Sequence, residues 1–168
     1  MIMATFTWHD GYVPEGMEIK QVYGLIFSRD GRLLLRVEKE EDKIKYSLAG
    51  GRPEVYDDGI EGTLRREIIE EVNITIGAPI IVGYQEVDEN DGTPPFAQVR
   101  MTALIEQVGE VRPDLDNGKT YDRILVSPLK AIDLLDWGDV GSFQIKKAMC
   151  IATEQFGITK FSDKKENI

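Results

Sequence analysis

The chain has one cysteine and one histidine, and no apolar run approaches the length of a membrane span. A lone Cys150 excludes an intramolecular disulfide and suits a reducing cytoplasm. It falls in a helical pattern, Phe143 to Ala152, which predicts a small buried hydrophobe. His9 has no second histidine and no cysteine to join it, so a His/Cys zinc site is not expected, and a surface or interface position is. The N-terminus lacks the basic-then-apolar layout of a secretory signal, and no segment reads as membrane-spanning. Positive charge is also scarce: 20 Lys and Arg stand against 30 Asp and Glu, a net charge of −10. Nucleic-acid backbones are held chiefly by Lys and Arg, so general nucleic-acid binding is not expected. There is no internal repeat, linker or low-complexity block. With 168 residues, 42% hydrophobic and 30% charged, the composition predicts one globular domain over residues 1–168.

What is present is concentrated in one stretch. Gly50-Gly51 leads through a short acidic loop containing Asp58 to Arg66-Glu67-Ile68-Ile69-Glu70-Glu71-Val72. Glu67, Glu70 and Glu71 stand at i, i+3 and i+4, so a helix projects them as one cluster. Ile60, Leu64, Ile68 and Val72, at steps of four, form the apolar stripe that seats that helix on a core. Three like charges held together cost stability unless something positive lies between them. Arg66 offsets part of that charge, and a hard divalent cation taking oxygen ligands is the natural remainder.

These residues closely resemble the Nudix box, G-x5-E-x7-R-E-U-x-E-E-x-G-U, where U is a bulky aliphatic. Arg66 to Ile74 matches the second half, with Asn73 in place of the late Gly. Asn tolerates the left-handed conformation that ends a helix. Seven residues before Arg66 the pattern has Glu and this chain has Asp58. Six residues separate Gly51 from Asp58 instead of five, so the loop reads as one residue longer.

The resemblance implies an α+β fold, a Nudix-type mixed β-sheet between α-helices, covering about Glu18 to Phe156. It implies hydrolysis, dependent on Mg²⁺ or else Mn²⁺, of the pyrophosphate in a nucleoside diphosphate linked to another moiety. The alternative is a catalytically weak Nudix-fold module that binds a nucleotide or a protein. By analogy Glu67 and Glu71 are the main metal ligands, Glu70 supports them, and the carbonyl of Gly50 or Gly51 joins the shell. Arg66 orients the glutamates. The general base is Glu67 or an acid from a later loop, for which Asp122 is the first candidate and Glu89 and Asp91 are competitors. Arg52, Glu54 and Asp58 are expected at the substrate. Tyr23, Tyr84, Phe96 and Tyr121 are the side chains from which base recognition would be drawn, although their ordinary role is packing.

The coarse order of elements agrees. Strands are expected at Glu18 to Phe27, Arg32 to Val37, Ala78 to Val87, Phe96 to Val108 and Tyr121 to Val126. Glu38 to Lys43 reads as a charged loop. Pro128 to Leu135 reads as a short helix with Pro in its first turn, and Ser142 to Phe156 as the last helix. Residues 1–17 form an N-terminal extension, expected as an added edge strand or the contact of a homodimer. Residues 162–168 are expected to fray.

Overall fold

The computed structural model describes residues 2–168. Its centre is the pair β2 (Ile19–Phe27) and β8 (Phe96–Val108), which run parallel, with β7 (Ile80–Asp88) antiparallel to β8. β1 (Thr5–Asp10) adds to the outside of β7, so the N-terminal extension is an edge strand. On the other side β3 (Leu33–Glu40) joins β2, and β9 (Asp122–Val126) and β10 (Glu166–Asn167) follow. The two-residue β5 (Gly50–Gly51) pairs with β2.

Side-chain alternation along the strands divides the core in two. Val22 and Ile26 of β2 and Leu34 of β3 point to the face covered by α1 (Gly59–Val72), where they meet Leu64, Ile68 and Val72. Leu25, Phe27, Leu33 and Leu35 point to the opposite face. There they pack on α2 (Pro128–Leu135) and α3 (Gly138–Phe156). Strands buried on both faces lose the apolar–polar alternation, which is why Leu25-Ile26-Phe27 is continuous. The expected stripe of α1 is thus the one that anchors it. Each such side chain contributes about 1.5–3 kcal/mol on burial.

The structure corrects the sequence reading in four places. Glu38 to Lys43 is not a loop: β3 continues to Glu40 and returns as β4 (Lys43–Ser47). Opposite charges face each other across this hairpin, Glu38 against Lys45 and Glu40 against Lys43, so the charge that suggested a loop supports pairing. A short strand β6 (Ile74–Ile76) follows α1 and pairs with the end of β8. Cys150 is exposed, because the buried face of α3 runs through Gly141, Gln144, Ile145, Ala148 and Ala152 and misses it.

The fourth correction is the C-terminal tail, which is pinned rather than frayed. Arg32 is 8% exposed and its Nη1 donates to the Glu166 carboxylate at 2.9 Å. Ser162 N–H reaches Asp30 O, and Arg123 Nε donates to Ile168 O at 3.0 Å. Nearly buried guanidiniums need acceptors, and this polar tail supplies them. Removing residues 162–168 is therefore expected to lower the thermal midpoint by about 5 °C, since hydrogen bonds to charged groups are each worth about 1.5–3 kcal/mol. A frayed tail would leave a calorimetric melt unchanged.

Candidate active site

The double glycine is a close-approach device. Gly50 has φ +151°, and a Cβ there would run into the Val22 carbonyl and Tyr23 Cα. A Cβ on Gly51 would meet the Glu67 carboxylate at 2.6 Å. Only glycines let this strand lie against both β2 and the acidic face of α1. The far end of the helix closes as expected: Asn73 adopts φ 50°, ψ 50°, and its N–H donates to Ile69 O at 3.1 Å.

Arg66 organises the acids. Its Nη1 donates to Glu67 at 2.9 Å and Glu70 at 3.1 Å, and its Nη2 donates to the Arg52 carbonyl at 2.9 Å. The remaining two N–H groups grip one carboxylate in a fork, Nε at 2.7 Å and Nη2 at 2.9 Å. That carboxylate belongs to Asp57 and not to Asp58. Asp57 also accepts from Thr63 Oγ1 at 2.8 Å and Glu54 N–H at 2.9 Å. Asp58 occupies the N-cap, is exposed, and makes no side-chain capping bond. The box is thereby realigned. Five residues separate Gly51 from Asp57, as the pattern requires, and the extra residue falls between Asp57 and Arg66.

Burial differentiates the three glutamates. Glu71 is 5% exposed, accepts the Gly50 N–H at 2.7 Å and pairs with Nη1 of Arg36 from β3. Arg36 is itself held by Ser47 Oγ at 3.0 Å and lies 4.3 Å from the centre of the Tyr121 ring. Burial pushes the Glu67 carboxyl above its ordinary value, against the opposing pull of Arg66. Together with Gly50 and Gly51 the three glutamates line one cavity of about 380 Å³. Arg52 and Glu54 line the same cavity.

A further loop brings in acids that the sequence reading passed over. Asp114 and Asp116, between β8 and β9, line this cavity together with Asn117. Asp114 is 5% exposed, and its carboxylate accepts the Asp116 N–H at 2.7 Å, so it shapes the loop. The turn-rich run Asp114-Leu115-Asp116-Asn117-Gly118 was the signal available for it.

The other loop candidates do not line this cavity. Asp122 registers with Val37, which packs on the α2–α3 side, and pairs with Lys39 at 2.8 Å. Its neighbour Arg123 is the one that reaches α1, donating to Val72 O at 2.8 Å. Glu89 lines a second cavity with Lys20 and Phe96, which shares Arg52 with the acidic one, and Asp91 binds Thr93. Of the aromatic candidates, Tyr84 stacks on His9 and Phe96 lies under Lys20, whereas Tyr23 lines a cavity beside Arg36.

The donor set fits a hard divalent cation. Six carboxylates line the acidic cavity (Glu54, Glu67, Glu70, Glu71, Asp114, Asp116) against two guanidiniums, Arg52 and Arg66. All side-chain donors of the α1 cluster are oxygens, which suits Mg²⁺ or Mn²⁺ and not a thiolate- or imidazole-seeking metal. Among the described residues the acids do not already converge as a ligand group. Each α1 glutamate is instead drawn to a guanidinium, Glu67 and Glu70 to Arg66 and Glu71 to Arg36.

No family model matches the chain, and no curated protein matches it. Solved structures do. A NUDIX hydrolase from Nitrosomonas europaea is 17% identical, with 79% of this chain and 90% of that one covered at a TM-score of 0.60. The Bacillus subtilis pyrophosphohydrolase BsRppH is 20% identical over 73% of this chain and 71% of its own, at a TM-score of 0.55. A MutT protein from Methanosarcina mazei Go1 is 21% identical over 80% and 96%, at 0.53. The chain has the Nudix fold, as the box implied.

The Asp57–Arg66 fork yields a stability prediction. Hydrogen bonds from Arg66 hold the Asp57 carboxyl far below its ordinary value. A depressed carboxylate contributes stability above its unfolded pKa, near 4, and that contribution is lost progressively as pH falls below it. Asp57→Asn is expected to cost about 1.5–3 kcal/mol at pH 7 in urea unfolding, with the difference from wild type shrinking at acid pH. Asp58→Asn is expected to change stability by less than about 0.5 kcal/mol.

Proposed function

We propose that the chain is a pyrophosphohydrolase acting, with Mg²⁺ or Mn²⁺, on a nucleoside diphosphate linked to another moiety. The observation that carries this reading is the cavity where Glu67, Glu70, Glu71 and the loop glycines meet. Glu67, Glu71 and a Gly50 or Gly51 carbonyl would hold the metal, with Glu70 supporting. A bound divalent ion supplies the positive charge that screens the pyrophosphate oxygens and stabilises the leaving phosphate.

The chain's own residues do the rest. Arg66 fixes the rotamers of Glu67 and Glu70, and Asp57 fixes Arg66. Arg52, exposed at the rim of the cavity, would meet a phosphate oxygen. Glu67, whose burial raises its proton affinity, suits a general base for the attacking water. Asp116 is the loop acid that suits the same task, because Asp114 is already committed to loop hydrogen bonds. Asp122 is withdrawn from that role by its pairing with Lys39 on the other face.

A second reading, a nucleotide- or protein-binding module with little activity, draws support from Arg36. That side chain pairs with Glu71 and so neutralises one expected ligand without any metal. Product release on adding Mg²⁺ separates the two readings. The composition also favours a single domain in the cytoplasm. No helix among the described residues is long and apolar enough to cross a membrane. The expected homodimer draws support from Met3, Phe6 and Tyr12, exposed on or beside the edge strand β1.

Glu71→Gln is expected to lower Mg²⁺-dependent turnover by about 10²-fold or more with the fold retained, since it removes a charged donor. Wild-type turnover in that variant would contradict the ligand assignment. If Glu67 is the base, the low-pH limb of the rate profile disappears in Glu67→Gln. Asp122→Asn should leave that limb in place. Loss of the limb in Asp116→Asn instead would transfer the role to the loop.

A further inference from the structure

Arg100 of β8 is 4% exposed, a guanidinium set into the sheet interior with no carboxylate bonded to it. Its three hydrogen bonds go to neutral acceptors: Gln144 Oε1 at 3.0 Å, the Gln98 carbonyl at 3.3 Å and Gln85 Oε1 at 3.4 Å. A guanidinium has five N–H groups, so one on each Nη is left without a protein partner. The Tyr23 and Trp137 rings lie 4.9 and 5.4 Å from it and stabilise the charge in part. Burial pushes its pKa down to about 10, which leaves it protonated at neutral pH. A buried cation without a counter-charge is costly, and such groups persist where a ligand completes them.

Arg100 opens into a cavity of about 620 Å³, large enough for a nucleoside-sized group. Among the described residues the charged side chains in its wall are Arg36, Lys45 and Arg100, with no acid. In a chain of net charge −10 that segregation is directional. Tyr23, Tyr46 and Trp137 supply flat apolar surface, and Gln85 and Gln98 supply amides. The cavity adjoins the acidic one through Arg36, which lines it and also pairs with Glu71.

We propose that Arg100 is a specificity-determining residue: its cavity takes the part of the substrate that presents two adjacent acceptor atoms, carrying partial or full negative charge, to the free N–H pair. The O6/N7 edge of a 6-oxopurine and the carboxylate of a sugar acid both have this chemistry, whereas a 6-aminopurine or a neutral hexose does not. The proposal deepens the pyrophosphohydrolase reading and rests on it for the position of the diphosphate.

Two matched pairs test it, GDP-glucose with ADP-glucose and UDP-glucuronate with UDP-glucose. Each is measured by kcat/KM with Mg²⁺ and, separately, by calorimetric binding to the metal-free protein. The acceptor-bearing member of one pair is expected to win by about tenfold or more, because a site built around hydrogen bonds rejects the analogue that leaves them unmade. The winning pair identifies the source of the acceptors. Arg100→Gln removes the charge and Arg100→Lys keeps it without the fork, and both should bring the ratio close to one. Absence of discrimination in wild type overturns the proposal, as does a ratio that survives in either folded variant. Failure to hydrolyse any of the four compounds would count against the pyrophosphohydrolase reading alone. The calorimetric ratios still decide the role of Arg100 in that case.

Discussion

Crowding of like charge on one helix is the constraint around which this site is built. Glu67, Glu70 and Glu71 are all at least partly buried on the face of α1 that meets the glycine strand. Carboxylates removed from water and packed together repel, and each must be met by a donor. Arg66 spends all five of its N–H groups on this region, two of them on Asp57. Asp57 in turn ties the loop to the helix through Thr63 and the Glu54 backbone. The lengths of the loop segments, the double glycine and the apolar stripe of α1 all serve the same geometry.

The remaining compensation comes from across the sheet. Arg36 of β3 pairs with Glu71, and its own orientation is set by Ser47 of the β3–β4 hairpin and by the Tyr121 ring. This side chain is the hinge between two environments of opposite sign: an acidic cavity suited to a divalent cation, and a neighbouring cavity whose charges are all positive. A substrate with a pyrophosphate at one end and an electron-rich group at the other matches that division. The overall acidity of the chain conceals it, because net charge is a sum and the cavities depend on local arrangement.

Elements carried by local pattern are legible in the sequence. The stripe at Ile60, Leu64, Ile68 and Val72, the left-handed Asn73 and the Pro128 helix start all follow from helix periodicity and capping. The strand from Phe96 to Val108 follows from its composition. Elements that depend on partners distant in sequence are not. The tail is held by Arg32 and Arg123, far from it in the chain, whereas the hairpin at Glu38 to Lys43 is local but its run of charge reads equally well as a solvated loop. Asp57 and Asp58 are adjacent acids, and a count back from Arg66 favours Asp58 whereas a count forward from Gly51 favours Asp57. The rotation of the chain into α1 decides which of them faces Arg66. Asp114 and Asp116 belong to a loop whose return to the site depends on the β8–β9 connection, and Arg100 looked like one more residue of a strand.

The central claim is that the α1 glutamates form a divalent-cation site in a protein whose guanidiniums occupy them in its absence. Titration of the protein with Mn²⁺, followed by the electron paramagnetic resonance signal of the free ion, tests it most directly. The account predicts saturable binding that Mg²⁺ competes away and that Glu71→Gln weakens. It also predicts tighter binding in Arg36→Gln, because the ion no longer displaces a guanidinium from Glu71. A free-ion signal that rises linearly with added Mn²⁺ to millimolar concentration in the wild-type protein would contradict it.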